Sequence, residues 1–176
     1  LSGRTEVRFD SASRERTGIL AATAGNRDFA FQVNGLRTVT DDVRIPGYAD
    51  PANPANRGTL ENSAISTHSV SAGGAWFGDA GNVGAAVSEY ATVYGVPVGE
   101  PIKIDMRQRR ADFRAELARA FGPFKSARLR FGLADYRHAE IDATTGLPNT
   151  AFVNRAHEGR LELAQREAGN LTGTIG

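Results

Sequence analysis

Leu1 to Asp10 alternate without a break: Leu1, Gly3, Thr5, Val7 and Phe9 fall on one side, Ser2, Arg4, Glu6, Arg8 and Asp10 on the other. A strand sends successive side chains to opposite faces, so this segment predicts a strand with one apolar and one charged face. The same period of two returns along most of the chain. Ser11–Glu15 reads as a polar turn, a second strand runs from about Arg16 to Thr23, and Ala24–Arg27 makes a tight reversal. A third strand opens at Phe29, with Phe31 and Val33 on its apolar side. Residues 41–62, holding Pro46, Pro51 and Pro54, read as a long irregular connection. Val70, Ala72, Gly74 and Trp76 mark a fourth strand, turned by Gly78–Asn82 into a fifth with Val83, Ala85 and Val87 outward.

After a longer loop at 94–101, a sixth strand has Ile102, Ile104 and Met106 on even positions but Ala111, Phe113, Ala115 and Leu117 on odd ones. That change of parity predicts a bulge or twist between about Arg107 and Arg110. Helical spacing of Phe113, Leu117 and Phe121 offers a helix over 109–121 instead, but the neighbouring strands favour alternation. Gly122–Pro123 leads to a seventh strand, in which Leu129, Phe131 and Leu133 oppose Arg128 and Arg130. An eighth carries Leu161 and Leu163 against Arg160 and Glu162, and a ninth begins near Leu171. The prediction is an all-β antiparallel up-and-down meander of eight or nine strands, without a helical crossover.

Two architectures share such alternation. A soluble β-sandwich, acting as a binding module, would pack Leu129, Phe131 and Leu133 into a core. A transmembrane barrel would turn them to lipid and line its wet interior with the charged positions. Short connections at 24–27, 78–82 and 121–124 alternate with longer ones at 43–62, 94–101 and 143–149, as in outer-membrane barrels. Phe29, Trp76, Phe77, Phe121 and Phe124 cluster beside the short connections, as an aromatic girdle does at a lipid interface. The two regularities together favour the barrel.

Composition narrows the chemistry. The 176 residues contain no cysteine, which removes thiol catalysis and Cys-based zinc sites. A net charge of +1 gives no basic excess to attract nucleic acid. No run approaches the roughly 18 apolar residues of a spanning helix. Nucleophile-elbow, phosphate-loop and dinucleotide patterns are missing, and His68 and its neighbour Ser69 point to opposite faces of a strand, so catalysis is not expected.

The strings EVRFDSASRERTGILAATAG, GLRTVTDDVRIPGYA, GTLENS, SEYATVYGVPVGEP, IKIDMRQRRADFRAEL and RLRFGLADYRHAEID follow one another in order along the chain. As an ordered series they resemble successive barrel strands of TonB-dependent outer-membrane receptors, nearest to the zinc-uptake type. The resemblance implies a piece, residues 1–176, from the N-terminal part of a 22-stranded barrel. It further implies outer-membrane lipid, the receptor's own plug domain, the remaining strands and TonB as partners, and a scarce metal or metal chelate as cargo. Ser2, Arg4, Glu6, Arg8, Asp10, Asp112, Arg114, Glu116, Arg128, Arg130, Arg160 and Glu162 would line the interior, with Glu116 near Arg128 or Arg130 across the strands.

Among three histidines, His138 shares a face with Tyr136, Glu140 and Asp142, whereas His68 and His157 have the opposite parity. An imidazole and two carboxylates at i, i+2 and i+4 suit a weak divalent-ion contact such as zinc. Spaced roughly 7 Å apart along a strand, they need another element to converge. The His-rich loop of some zinc receptors is absent. Paired Asp41 and Asp42 lack EF-hand spacing and read as a solvated loop.

Overall fold

The computed structural model describes residues 1–50, 57–97 and 101–176. Alternation becomes strand nearly everywhere: β1 (Ser2–Phe9), β2 (Arg16–Gly25), β3 (Phe29–Val39), β4 (Val43–Tyr48), β5 (Arg57–Leu60), β6 (Ile65–Gly78), β7 (Gly81–Val96), β8 (Ile102–Leu117), β9 (Phe124–Asp142), β10 (Pro148–Gln165) and β11 (Thr174–Ile175). Nine of them form one antiparallel sheet in the order β1-β2-β3-β6-β7-β8-β9-β10-β11. Consecutive strands pair because each short connection returns the chain directly beside itself. The sheet is a meander with free edges at β1 and β11, not closed into a barrel. Among the described residues no second large sheet packs on it, as a sandwich would require.

Three expectations need correction. The connection at 41–62 is not wholly irregular: β4 and β5 pair as a separate two-stranded sheet. Asp42 Oδ1 closes its base by accepting from the backbone N–H of Ser63 and Ala64, at 2.8 and 2.9 Å. Pro51, Pro54 and Gly99 lie outside the described residues. The bulge between Arg107 and Arg110 is absent: β8 keeps an unbroken register with β7 and with β9 from Ile102 to Leu117. Parity does not change there; the two faces exchange polarity. Near Leu171 there is only an isolated bridge to Ala168, and the last strand starts at Thr174. The helix considered over 109–121 does not form, since β8 continues to Leu117.

Tight turns depend on two glycines. At Gly81, φ is +152° and a Cβ would lie 1.8 Å from the Glu116 carbonyl oxygen, so β7 and β8 meet at this point only without a side chain. At Gly78, a Cβ would lie 2.5 Å from the Trp76 ring, which lies over the glycine toward the turn. Trp76 is also the cross-strand partner of Phe29, whose ring stacks on Phe31 at 6.4 Å. Phe121 and Phe124 pair at 5.6 Å across their own bridge.

Register assigns every residue to one of two faces, named here for Phe131 and for Arg130. Val7, Phe9, Phe31, Val33, Val87, Leu129, Phe131, Leu161 and Leu163 all lie on the Phe131 face. All but Leu163 are exposed. Ile104, 7% exposed, is the one buried hydrophobic residue among those described, and it sits on the Arg130 face toward the long connections. A single layer has no core between layers, so this burial comes from neighbours on the same face.

Candidate functional site

The metal candidate is built at the end of β9. His138, Glu140 and Asp142 share the Arg130 face, as alternation requires, but they do not converge. Asp142 Oδ1 accepts the backbone N–H groups of Thr145 and Thr144 at 2.7 and 2.8 Å, capping the turn into β10. Those same N–H groups, Thr145's first, hold the Asp142 carboxyl below its ordinary range. His138 Nδ1 lies 3.1 Å from the Tyr136 hydroxyl, its ring stands edge-on to Phe152 at 5.5 Å, and its cross-strand partners are Met106 and Phe152. Its buried Nε2 has no partner among the described residues. Glu140 stands between Ile104 and Thr150 in the ladder. No group of three metal-ligating side chains is gathered anywhere among the described residues. His138 is thus an aromatic neighbour in a small apolar cluster, and Asp142 a turn cap.

Closer to the short turns, the Arg130 face carries a ladder of ion pairs. Arg128 bonds Glu116 at 3.1 Å across β8 and β9, one of the two pairings that their spacing allows. Arg110 holds Asp112 and Glu158, each at 3.0 Å, and Arg160 holds Glu162 at 2.8 Å. Glu6 is shared by Arg4 and Arg8 on β1. Arg114 and Arg130 stand directly opposite each other with no ion pair among the described residues. These side chains are exposed, so each pair adds little stability. They make this half of the face wet and mixed in sign.

On the Phe131 face the sequence reading missed a second charged feature. Glu89 accepts from Arg107 and Arg109, both at 2.7 Å, and lies 3.5 Å from His68. Asp135 pairs with Arg155 at 3.1 Å and Arg137 at 3.5 Å. The signal was in the chain: unbroken parity through Arg107 and Arg109 puts both on the face of Phe113. Moving from the apolar band toward the long connections, the first titratable residue on each strand from β2 to β10 is Arg16, Arg37, His68, Glu89, Arg109, Asp135 and His157.

Those seven positions form a staircase. The ladder carries the level of Arg16 across to Ala151 on β10, yet the boundary on β10 is at His157. Over six strand-to-strand steps the boundary moves six residues, in three shifts of two, an average of one per strand. With about 3.3 Å per residue and about 4.8 Å between strands, a straight boundary lies about 35° off the ladder direction. No model of a known protein family matches the chain.

Proposed function

We propose that this chain is part of the barrel of an outer-membrane TonB-dependent receptor, which takes up a scarce metal such as zinc, or a metal chelate, by energised transport. The slanted boundary is the observation that carries the reading. A flat bilayer surface cuts tilted strands obliquely, and barrel strands tilt by roughly 35–45°. A boundary drifting one residue per strand is therefore what a level membrane edge leaves on such strands. Supporting it are the exposed apolar band, the aromatic rings beside the short turns and the ordered resemblance along the chain. In this reading the Phe131 face meets lipid, the Arg110–Arg130 ladder lines the interior against the plug, and additional strands pair with the free edges. TonB acts through the plug.

Trp76, the only tryptophan, tests the placement. The full-length receptor, with Trp76 kept as its sole tryptophan and refolded into phospholipid vesicles, is expected to show a blue-shifted emission, quenched by lipids brominated near the headgroup and not by aqueous iodide. Iodide quenching as strong as in water would overturn the membrane reading. For the cargo, deleting the gene is expected to abolish TonB-dependent accumulation of labelled zinc at low external concentration; unchanged accumulation would exclude zinc and direct the assay to metal chelates.

A further inference from the structure

One rung of the sheet changes character halfway across. On the Arg130 face it reads Ala30, Ala75 and Gly84 on β3, β6 and β7, then Arg114, Arg130 and Arg160 on β8, β9 and β10. Like charges directly opposite each other on neighbouring strands are destabilising, so arginines in a row call for an anion. The chain supplies none to the first two. Glu162 is held by Arg160 and Glu116 by Arg128. Asp112 and Glu158 are both held by Arg110, which reaches across β9 because position 132 is glycine. A Cβ there would lie 3.3 Å from the Glu158 carboxylate and 3.4 Å from the Arg110 guanidinium. All four carboxylates are thus taken, and among the described residues Arg114 and Arg130 have no ion pair.

We propose that Arg114 and Arg130 together receive a carboxylate side chain of the plug, whose polypeptide lies on the low floor beside them; the inference rests on the receptor reading above. Both arginines line an open hollow of about 280 Å3. Arg114 also borders a second hollow of about 610 Å3, floored by Ala30, Gly73, Ala75, Gly84 and Ala86. Side chains this short let a second backbone approach the sheet closely, which a wall facing only water does not need. A free anion would use the arginines and leave the floor bare, whereas an acidic segment uses both. Two guanidinium forks can share one carboxylate, as Arg4 and Arg8 share Glu6 on this same face.

The test uses the full-length receptor in outer membranes, with p-benzoylphenylalanine in place of Ala75, irradiated and digested for mass spectrometry. A crosslink to a plug peptide that carries Asp or Glu is expected. Irradiation that yields no such crosslink overturns the docking site and leaves the receptor reading standing; a full-length chain without a plug overturns both. Hydrogen exchange of the crosslinked peptide then reads the arginines. Arg114→Gln/Arg130→Gln is expected to speed its exchange by about tenfold or more, the loss of a charge-assisted bond. Arg114→Glu/Arg130→Glu should speed it further, and replacing the peptide's carboxylate with Lys in that variant should restore the protection. Heat-modifiable migration on gels reports that the barrel of each variant is folded. A bare rung of like charges predicts the reverse: relieving the repulsion would leave the plug's exchange unchanged and raise the unfolding midpoint of the barrel. That result would also overturn the docking site.

Discussion

The half of the sheet beside the short turns and the half beside the long connections are made from the same strands, yet their faces are inverted. On β8, Ala111, Phe113 and Ala115 are apolar and face away from Arg110, Asp112 and Arg114. A few residues earlier, Arg107 and Arg109 continue the apolar side, while Ile104 and Met106 continue the charged one. β9 repeats this: Leu129, Phe131 and Leu133 lead to Asp135 and Arg137, and Arg128 and Arg130 lead to Tyr136 and His138. Polarity here belongs to height along the strand as much as to face. The Phe131 face is apolar near the short turns and charged near the long connections, and the Arg130 face compensates. Near the turns it is wet; farther out it gathers Ile104, Thr92 and Thr17, each buried.

The largest test of this inversion places the same charge at two heights. Phe131→Arg is expected to destabilise the membrane-inserted protein by about 2–4 kcal/mol, while Ala139→Arg, on the same face but in the outer half, should cost about 0–1 kcal/mol. Urea unfolding from vesicles measures both; equal costs would erase the difference between the halves. Next, Ile104→Ala removes the one buried hydrophobic side chain of the outer half and is expected to cost about 2 kcal/mol by the same assay. A neutral result would mean that the outer half has no packed centre.

A smaller effect belongs to the hydroxyl pair Thr67–Thr92, 2.7 Å apart on the Arg130 face. Thr92→Val leaves the Thr67 hydroxyl without this partner and is expected to cost about 1 kcal/mol. Thr92→Ser should restore most of it.

The smallest concerns the loops. Asp10 accepts the backbone N–H of Ser13 at 2.8 Å, and Asp142 those of Thr145 and Thr144, so both carboxyls titrate below their usual range. A lowered folded pKa contributes stability that is present above the ordinary carboxylate value of about 4 and is lost as pH falls through the folded value. Asp142→Asn should thus lower the unfolding midpoint at pH 7 slightly, with the difference from the native chain vanishing at strongly acid pH. A difference that persists there would show that the carboxylate charge is not the cause.

The strands and their neighbours were readable from the chain because period two is local and turn residues mark each reversal. Gly78 and Gly81 mark one turn and Gly122 another, and spacing narrowed the partner of Glu116 to Arg128 or Arg130, of which Arg128 forms the pair. The site was less readable. His138, Glu140 and Asp142 share a face, as their spacing requires, but whether they converge depends on what else reaches them. The β9–β10 turn takes Asp142, and Phe152 and Met106 flank His138 across the ladder.

By itself the sequence determined the alternation, the order of short and long connections and which residues share a face wherever parity is followed without interruption. It could not decide between a bulge and an exchange of polarity near Arg107, because both produce the same one-dimensional pattern. Only the unbroken ladder of β7, β8 and β9 distinguished them, since register is a relation between strands. The staircase from Arg16 to His157 likewise exists only when strands far apart in sequence stand side by side. A straight line across a sheet joins residues that no local pattern connects, and its slope is the observation on which the proposed membrane reading rests.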